Sequence, residues 1–199
     1  MAMPMRFDPL VDLDGIWTTQ LAEQYLPLPQ LPDVRYECID GRLVMTPAEV
    51  GTNSYAEIEL AHLLKPAAKA AGFYVYGQVN LTFTPQRWIQ PDVTVLHGLP
   101  KDDEEDRWIP ARLCTMAVEF VSPGSRRQHF VDKPRRCATA GVPYFMRVEV
   151  SRRLRHAAVE LFALGTSGVY DTVARAVSGE RLRADAPFPV GFDPAELLP

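Results

Sequence analysis

Ala117-Val118-Glu119-Phe120-Val121-Ser122-Pro123 is an apolar run with a glutamate near its centre. Read as a strand, it places Ala117, Glu119 and Val121 on one face and Val118 and Phe120 on the other. A carboxylate among such neighbours is a poor β-former and is costly to bury unless something pairs with it. One solution is an arginine partner, and the chain has seventeen arginines. The other is a hard cation. Mg²⁺ takes one or two protein carboxylates, keeps several waters and completes its shell with phosphate oxygens.

Working outward, Gln90-Pro91-Asp92 opens a second apolar stretch. Pro91 lacks an N–H and belongs at a strand start or edge. Asp92, Thr94 and Leu96 then share one face, and Val93 and Val95 the other. Pro-Asp is also an ordinary turn before a strand, so Asp92 gains weight only beside Glu119. Lys133, one of four lysines, follows Glu119 by fourteen residues. An ammonium there can orient a water or offset charge developing on a phosphate. An exposed lysine at a helix start is the plain alternative, although such a lysine opposes the helix dipole. Glu37, in Tyr36-Glu37-Cys38-Ile39-Asp40-Gly41, is either a surface strand residue or a third acid of the same site. Two strands, each with one carboxylate, and a lysine behind them point to a metal-dependent phosphodiesterase.

Composition sets the limits. A chain of 199 residues with 47% hydrophobic and 23% charged residues reads as one soluble globular domain. We expect residues 1–15 to form a loosely ordered arm and 16–199 a single domain. No run approaches the roughly 18 apolar residues of a membrane span. Met1 to Leu10 lacks the basic-then-apolar pattern of a signal peptide. Cys38, Cys114 and Cys137 form no CxxC pair, so a cytoplasmic protein without a disulfide framework is expected. His62, His97, His129 and His156 show no ligand spacing, and the usual nucleotide-loop, hydrolase-elbow and zinc-protease motifs are missing. The net charge of -4 hides an asymmetry: between Arg126 and Arg155, nine Lys or Arg face Asp132 and Glu149, a local +7 that leaves -11 elsewhere. A polyanion could bind that block. A solvated arginine-rich helix and hairpin is the competing reading.

The expected elements run as follows. Thr18 to Tyr25 is a short helix, and Val34 to Met45 a hairpin turning at Asp40-Gly41. Asn53 to Ala71 is a long helix with a Ser54/Glu57 capping box, kinked or cut short at Pro66. Strands follow at Phe73–Val79, Leu81–Thr84 and Val93–Leu96, then a mobile acidic loop from Leu99 to Arg107. Leu113–Val121 is a strand, Phe130 to Ala140 a helix and Pro143–Val150 a strand. Arg155–Leu164 and Val169–Ala176 form a closing hairpin, and the apolar tail from Phe188 to Leu198 docks. One mixed sheet flanked by helices is the economical architecture.

Tyr36-Glu-Cys-Ile-Asp-Gly41, Gln90-Pro-Asp92, Val118-Glu-Phe-Val-Ser-Pro123, Lys133 and Ala140-Gly-Val-Pro143 stand in an order and spacing that resembles the Uma-type "putative restriction endonuclease" family of the PD-(D/E)XK nuclease superfamily. The resemblance runs from Trp17 to Leu198. It implies an α/β (α+β mixed) restriction-endonuclease-like core, a central mixed sheet flanked by helices, with extra hairpins at both ends. It implies Mg²⁺-dependent hydrolysis of DNA phosphodiesters, with Mn²⁺ as a substitute. Asp92 and Glu119 match the metal-binding acids, with the Phe120 backbone carbonyl as a third ligand. Val121 occupies the place where many superfamily members carry lysine, and Lys133 matches the lysine that the Uma-type pattern supplies from the next helix. Glu37 matches a recurring acid near the site. Gln90 and Asn53 would stand behind the ligands, and Arg126, Arg127, Arg135 and Arg136 would hold the nucleic acid. A homodimer suits cleavage of both strands. The chain departs from the pattern at Asn53, His129, Pro134, Cys137 and Pro143-Tyr-Phe-Met146. Those departures keep open a nuclease-fold protein that has lost activity and serves as a nucleic-acid-binding or assembly module.

Overall fold

Asp40 and Gly41 take positive φ angles of 54° and 79°, which closes the hairpin of β1 (Val34–Ile39) and β2 (Arg42–Pro47) where the Asp-Gly signal places it. A Cβ on Gly41 would also collide with the backbone of Gly15, so glycine is required twice over. Two short helices precede this hairpin, α1 (Pro9–Asp12) and α2 (Thr19–Tyr25); the Thr18 side chain caps α2 by accepting from the Leu21 N–H at 3.2 Å. The computed structural model describes residues 7–47, 50–121 and 131–199. Leu13 and Trp17 are buried with Ala22, Cys38 and Trp88 in a small cluster beneath the hairpin.

The long helix, α3 (Gly51–Ala70), buries Ala56, Leu60, Leu64 and Ala68, an i, i+4 stripe on one face. The sheet beneath it is six-stranded and built from β3 (Tyr74–Tyr76), β6 (Val93–Leu96), β8 (Cys114–Val121), β9 (Tyr144–Ser151), β10 (His156–Leu164) and β11 (Tyr170–Val177). Its strand order is β11-β10-β9-β8-β6-β3. The alternate residues Val93, Val95, Met116, Val118, Phe120, Met146, Val148, Val159 and Leu161 meet the α3 stripe. Each fully buried leucine in that layer contributes about 1.5–3 kcal/mol. The tail completes it, with Phe188, Val190, Phe192 and Leu197 buried in the same cluster.

β8 and β9 pair in parallel, whereas β6–β8, β9–β10 and β10–β11 are antiparallel. Parallel neighbours need a crossover, and α5 (Lys133–Thr139) supplies it on the sheet face opposite α3. A second sheet contains the hairpin, β4 (Leu81–Thr84), β5 (Arg87–Ile89) and β7 (Ile109–Pro110), in the order β2-β1-β5-β4-β7. A final pair, β12 (Leu182–Ala184) and β13 (Val190–Phe192), closes the chain.

Four local expectations change. The long helix opens at Gly51 behind Val50, with no side-chain cap, because Glu57 turns to Arg35 at 3.8 Å instead of closing a box with Ser54. Pro66 does not end the helix, since Leu64 and Ala68 on either side are held in the core. The acidic segment carries α4 (Asp103–Arg107), capped by the Asp102 carboxylate, which accepts from the Glu105 N–H at 2.9 Å. Its first turn holds Asp103, Glu104, Glu105 and Asp106, which suit the positive end of the helix dipole. β5 had no counterpart in the sequence reading.

Candidate active site

Gln90-Pro91-Asp92 is the point where the chain leaves the five-stranded sheet at β5 and enters the six-stranded one at β6. The proline fits here, because no ladder hydrogen bond is asked of it. The Asp92 N–H donates to the Val118 carbonyl at 3.0 Å, so pairing with β8 begins at this residue. Val93 stands opposite Val118, and continuing that antiparallel register by one residue sets Asp92 opposite Glu119. Directly opposed residues share a face, with Cβ atoms about 4.5–5.5 Å apart. The two carboxylates therefore project from neighbouring strands on the α5 side of the sheet. Asp92 is 2% exposed and Glu119 fully buried.

Lys133 reaches the same place from the first residue of α5, with Pro134 in the second position. The proline sets the helix start and so fixes where the lysine stem leaves the backbone. Its Nζ donates to both Glu119 oxygens, at 3.0 and 2.9 Å, and lies 2.8 Å from Glu37 Oε1. Glu37 comes from β1 in the other sheet, and its Oε1 also accepts from the Gln90 N–H at 2.8 Å. One ammonium thus ties β8, β1 and α5 together. Burial alone would push the Lys133 pKa down, but the carboxylates of Glu119 and Glu37, with Asp92 behind them, outweigh it and raise it above the ordinary lysine value. Lys133 is a buried cation held charged by acids.

Asp92 is held by two donors: the Phe120 N–H at 2.7 Å to Oδ2 and Arg35 Nη1 at 2.5 Å to Oδ1. Arg35 was not among the residues picked from the sequence. It lies two residues before Glu37 on β1, so strand alternation places both on one face. Glu57 of α3 flanks Arg35 at 3.8 Å. Asn53 is buried in the first turns of α3, and Gln90 donates through Nε2 to Asn80 at 2.8 Å. Arg135 and Arg136 lie on α5, after Lys133. Arg126 and Arg127 fall outside the described residues.

Does this constellation suit a divalent cation? Among the described residues no group of three His, Cys, Asp or Glu forms a ready cage. Mg²⁺ does not require one, since two hard carboxylates with waters and phosphate suffice. On either side of Asp92, Gln90 Oε1 and Thr94 Oγ1 are buried without a hydrogen-bond partner. The waters of a hydrated ion would satisfy such atoms. The donor chemistry therefore fits a small hard cation between Asp92 and Glu119.

A mixed sheet with a parallel β8–α5–β9 crossover, and buried acids joined to a lysine at the point where two sheets meet, define a restriction-endonuclease-like nuclease fold. The chain belongs to the Uma2 family, described as "Putative restriction endonuclease", whose profile matches residues 22–198. A solved structure from Anabaena variabilis, described as a putative nuclease, superposes with a TM-score of 0.61 at 16% identity; the match covers 88% of this chain and 95% of that one. At that identity the likeness speaks for the fold alone. No curated protein matches the sequence. Among the described residues no helix is long and apolar enough to cross a membrane.

Proposed function

We propose that this protein is a metal-dependent endonuclease acting on DNA phosphodiesters. One observation carries the reading. Asp92 and Glu119 stand opposite each other on adjacent strands, with the Lys133 ammonium against Glu119. Asp92 and Glu119 would hold one Mg²⁺, or Mn²⁺ in its place, with the Phe120 carbonyl as a further ligand. When bound, such an ion polarises the scissile phosphate and lowers the pKa of its water. The rest falls to the chain's own side chains. Arg35 and the Phe120 N–H fix the rotamer of Asp92. Glu37 anchors Lys133 independently of Glu119, so the ammonium keeps its place when a Glu119 oxygen turns to a ligand. From there Lys133 orients the attacking water and offsets charge growing on the phosphate. Arg126, Arg127, Arg135 and Arg136 would contact the backbone, which positions DNA without reading its sequence. Cutting both strands would suit a homodimer.

A second reading has its own support. Lys133 engages both oxygens of Glu119, and Arg35 and Phe120 engage both of Asp92. A nuclease fold whose acids are permanently satisfied in this way would bind nucleic acid without turnover. Mn²⁺ titration followed by electron paramagnetic resonance separates the two. The endonuclease reading predicts one site per chain in the wild type and its loss in Asp92→Ala. Identical Mn²⁺ binding in both proteins would remove Asp92 from the metal site.

A further inference from the structure

Outside the acid cluster, α5 and the strands β9–β11 enclose a groove of about 490 Å³. Its floor is the Phe162 ring, with the Arg147 guanidinium over it at 5.1 Å from the centroid. Arg135 and Ala138 form one wall, and Val169, at the β10–β11 turn, the other. One groove residue, Arg147, is in strand register with Glu119. In the parallel β8–β9 register Arg147 stands beside Glu119; Glu160 then stands opposite Arg147, and Arg175 opposite Glu160. Residues in register share a face, so these four side chains form one row across the sheet. Glu160 accepts from Arg147 Nε at 3.1 Å and lies 3.8 Å from Arg175. The row runs from a buried acid to an Arg175 side chain that is 67% exposed.

We infer that this groove takes one unpaired nucleotide of the substrate strand, next to the scissile phosphate. The inference rests on the endonuclease reading and specifies its substrate: DNA with a single-stranded segment at the cleavage site. The chemistry is that of a nucleotide. The flat Arg147 guanidinium, seated on the Phe162 ring, offers a stacking surface for a base. Glu160 offsets the Arg147 charge, so a neutral ring is accepted there. Arg135 at the rim meets the phosphate, and Arg175 lies further along the same path. Distance agrees as well. Adjacent strands are about 4.8 Å apart, against about 3.4 Å of rise per stacked nucleotide, so a nucleotide about one to three steps from the cleaved bond arrives at Arg147 and Phe162, one and two strands from Glu119. A base within a duplex has both faces covered by its neighbours and cannot enter, whereas an unpaired one can.

The test is fluorescence anisotropy of a labelled oligothymidine and of a labelled hairpin duplex, in chelator, with the wild type, Ala138→Trp and Arg135→Ala. Ala138→Trp fills the groove without removing a contact. Each variant is expected to bind oligothymidine about tenfold more weakly, with duplex affinity changed by less than about twofold for Ala138→Trp. Thermal melts check folding, and Val169→Trp fills the groove from the other wall should Ala138→Trp not fold. Unchanged oligothymidine affinity in the groove-filled protein overturns the inference, as does a wild type that binds only the duplex. Because binding is read without a divalent metal, an enzyme that fails to cleave with Mg²⁺ would sink the endonuclease reading by a separate measurement.

Discussion

Lys133→Met is expected to destabilise the protein by about 3–5 kcal/mol, the cost of removing one member of a buried ion pair. The substitution keeps most of the side-chain volume and removes the charge. It takes from Glu119 and Glu37 the ammonium they share at 2.9 and 2.8 Å. For a chain of this size the melting temperature should fall by roughly 6–20 °C. The pH dependence carries a second signature. The folded-state pKa of Lys133 is raised, so its contribution is fully present below the unfolded value, about 10.4, and is lost as pH rises from there through the higher folded value. Between pH 6 and 9 this group should add no slope. The gap between wild type and Lys133→Met should narrow as pH rises above about 10.4. A melt shift under about 1 kcal/mol, the worth of an exposed pair, would show that the ammonium is not buried among acids in solution.

Glu119→Gln is expected to leave the fold standing and to lower nuclease turnover by at least about a thousandfold, the equivalent of several kcal/mol of metal-centred stabilisation. The amide keeps the shape and an oxygen for Lys133 while Glu37 still holds the ammonium. What it loses is the charge that a hard cation needs. The melting temperature should therefore drop less than in Lys133→Met, although activity drops much further. That dissociation of stability from activity is the mark of a ligand, as opposed to a structural anchor. A variant that loses both in proportion would mark Glu119 as the lysine's partner and nothing more.

Glu119 was legible in the sequence because it breaks a rule of its surroundings, and Asp92 only as the second carboxylate at the head of another apolar stretch. A glutamate inside Val118-Glu119-Phe120-Val121 has no reason to be there on packing grounds. Lys133 was legible through its position after Glu119; the helix expected from Phe130 begins at Lys133, where Pro134 in the second position sets its start. Arg35 escaped notice because an arginine on a strand ordinarily faces water. Its signal was the two-residue step to Glu37, which fixes a shared face but not what that face meets. The meeting itself is long-range: β1 reaches the site by pairing Cys38 with Trp88 of β5, and β5 is too short for its alternation to be read. The α4 helix was hidden by its charge, since the run of five acids from Asp102 to Asp106 reads as solvated loop. Asp102 followed by Glu105 three residues on was the capping signature that marked it. At Ser54 and Glu57 the same pattern misled, because the ion pair with Arg35 competes for the glutamate.

If Asp92 and Glu119 form a metal-dependent nuclease centre, supercoiled plasmid is converted to the nicked form by the wild type with Mg²⁺ or Mn²⁺, not with chelator, and not by Asp92→Ala purified and assayed beside it. Nicking at equal rates by the two proteins, or a folded wild type that binds the plasmid and never cuts it with either metal, would remove the nuclease assignment.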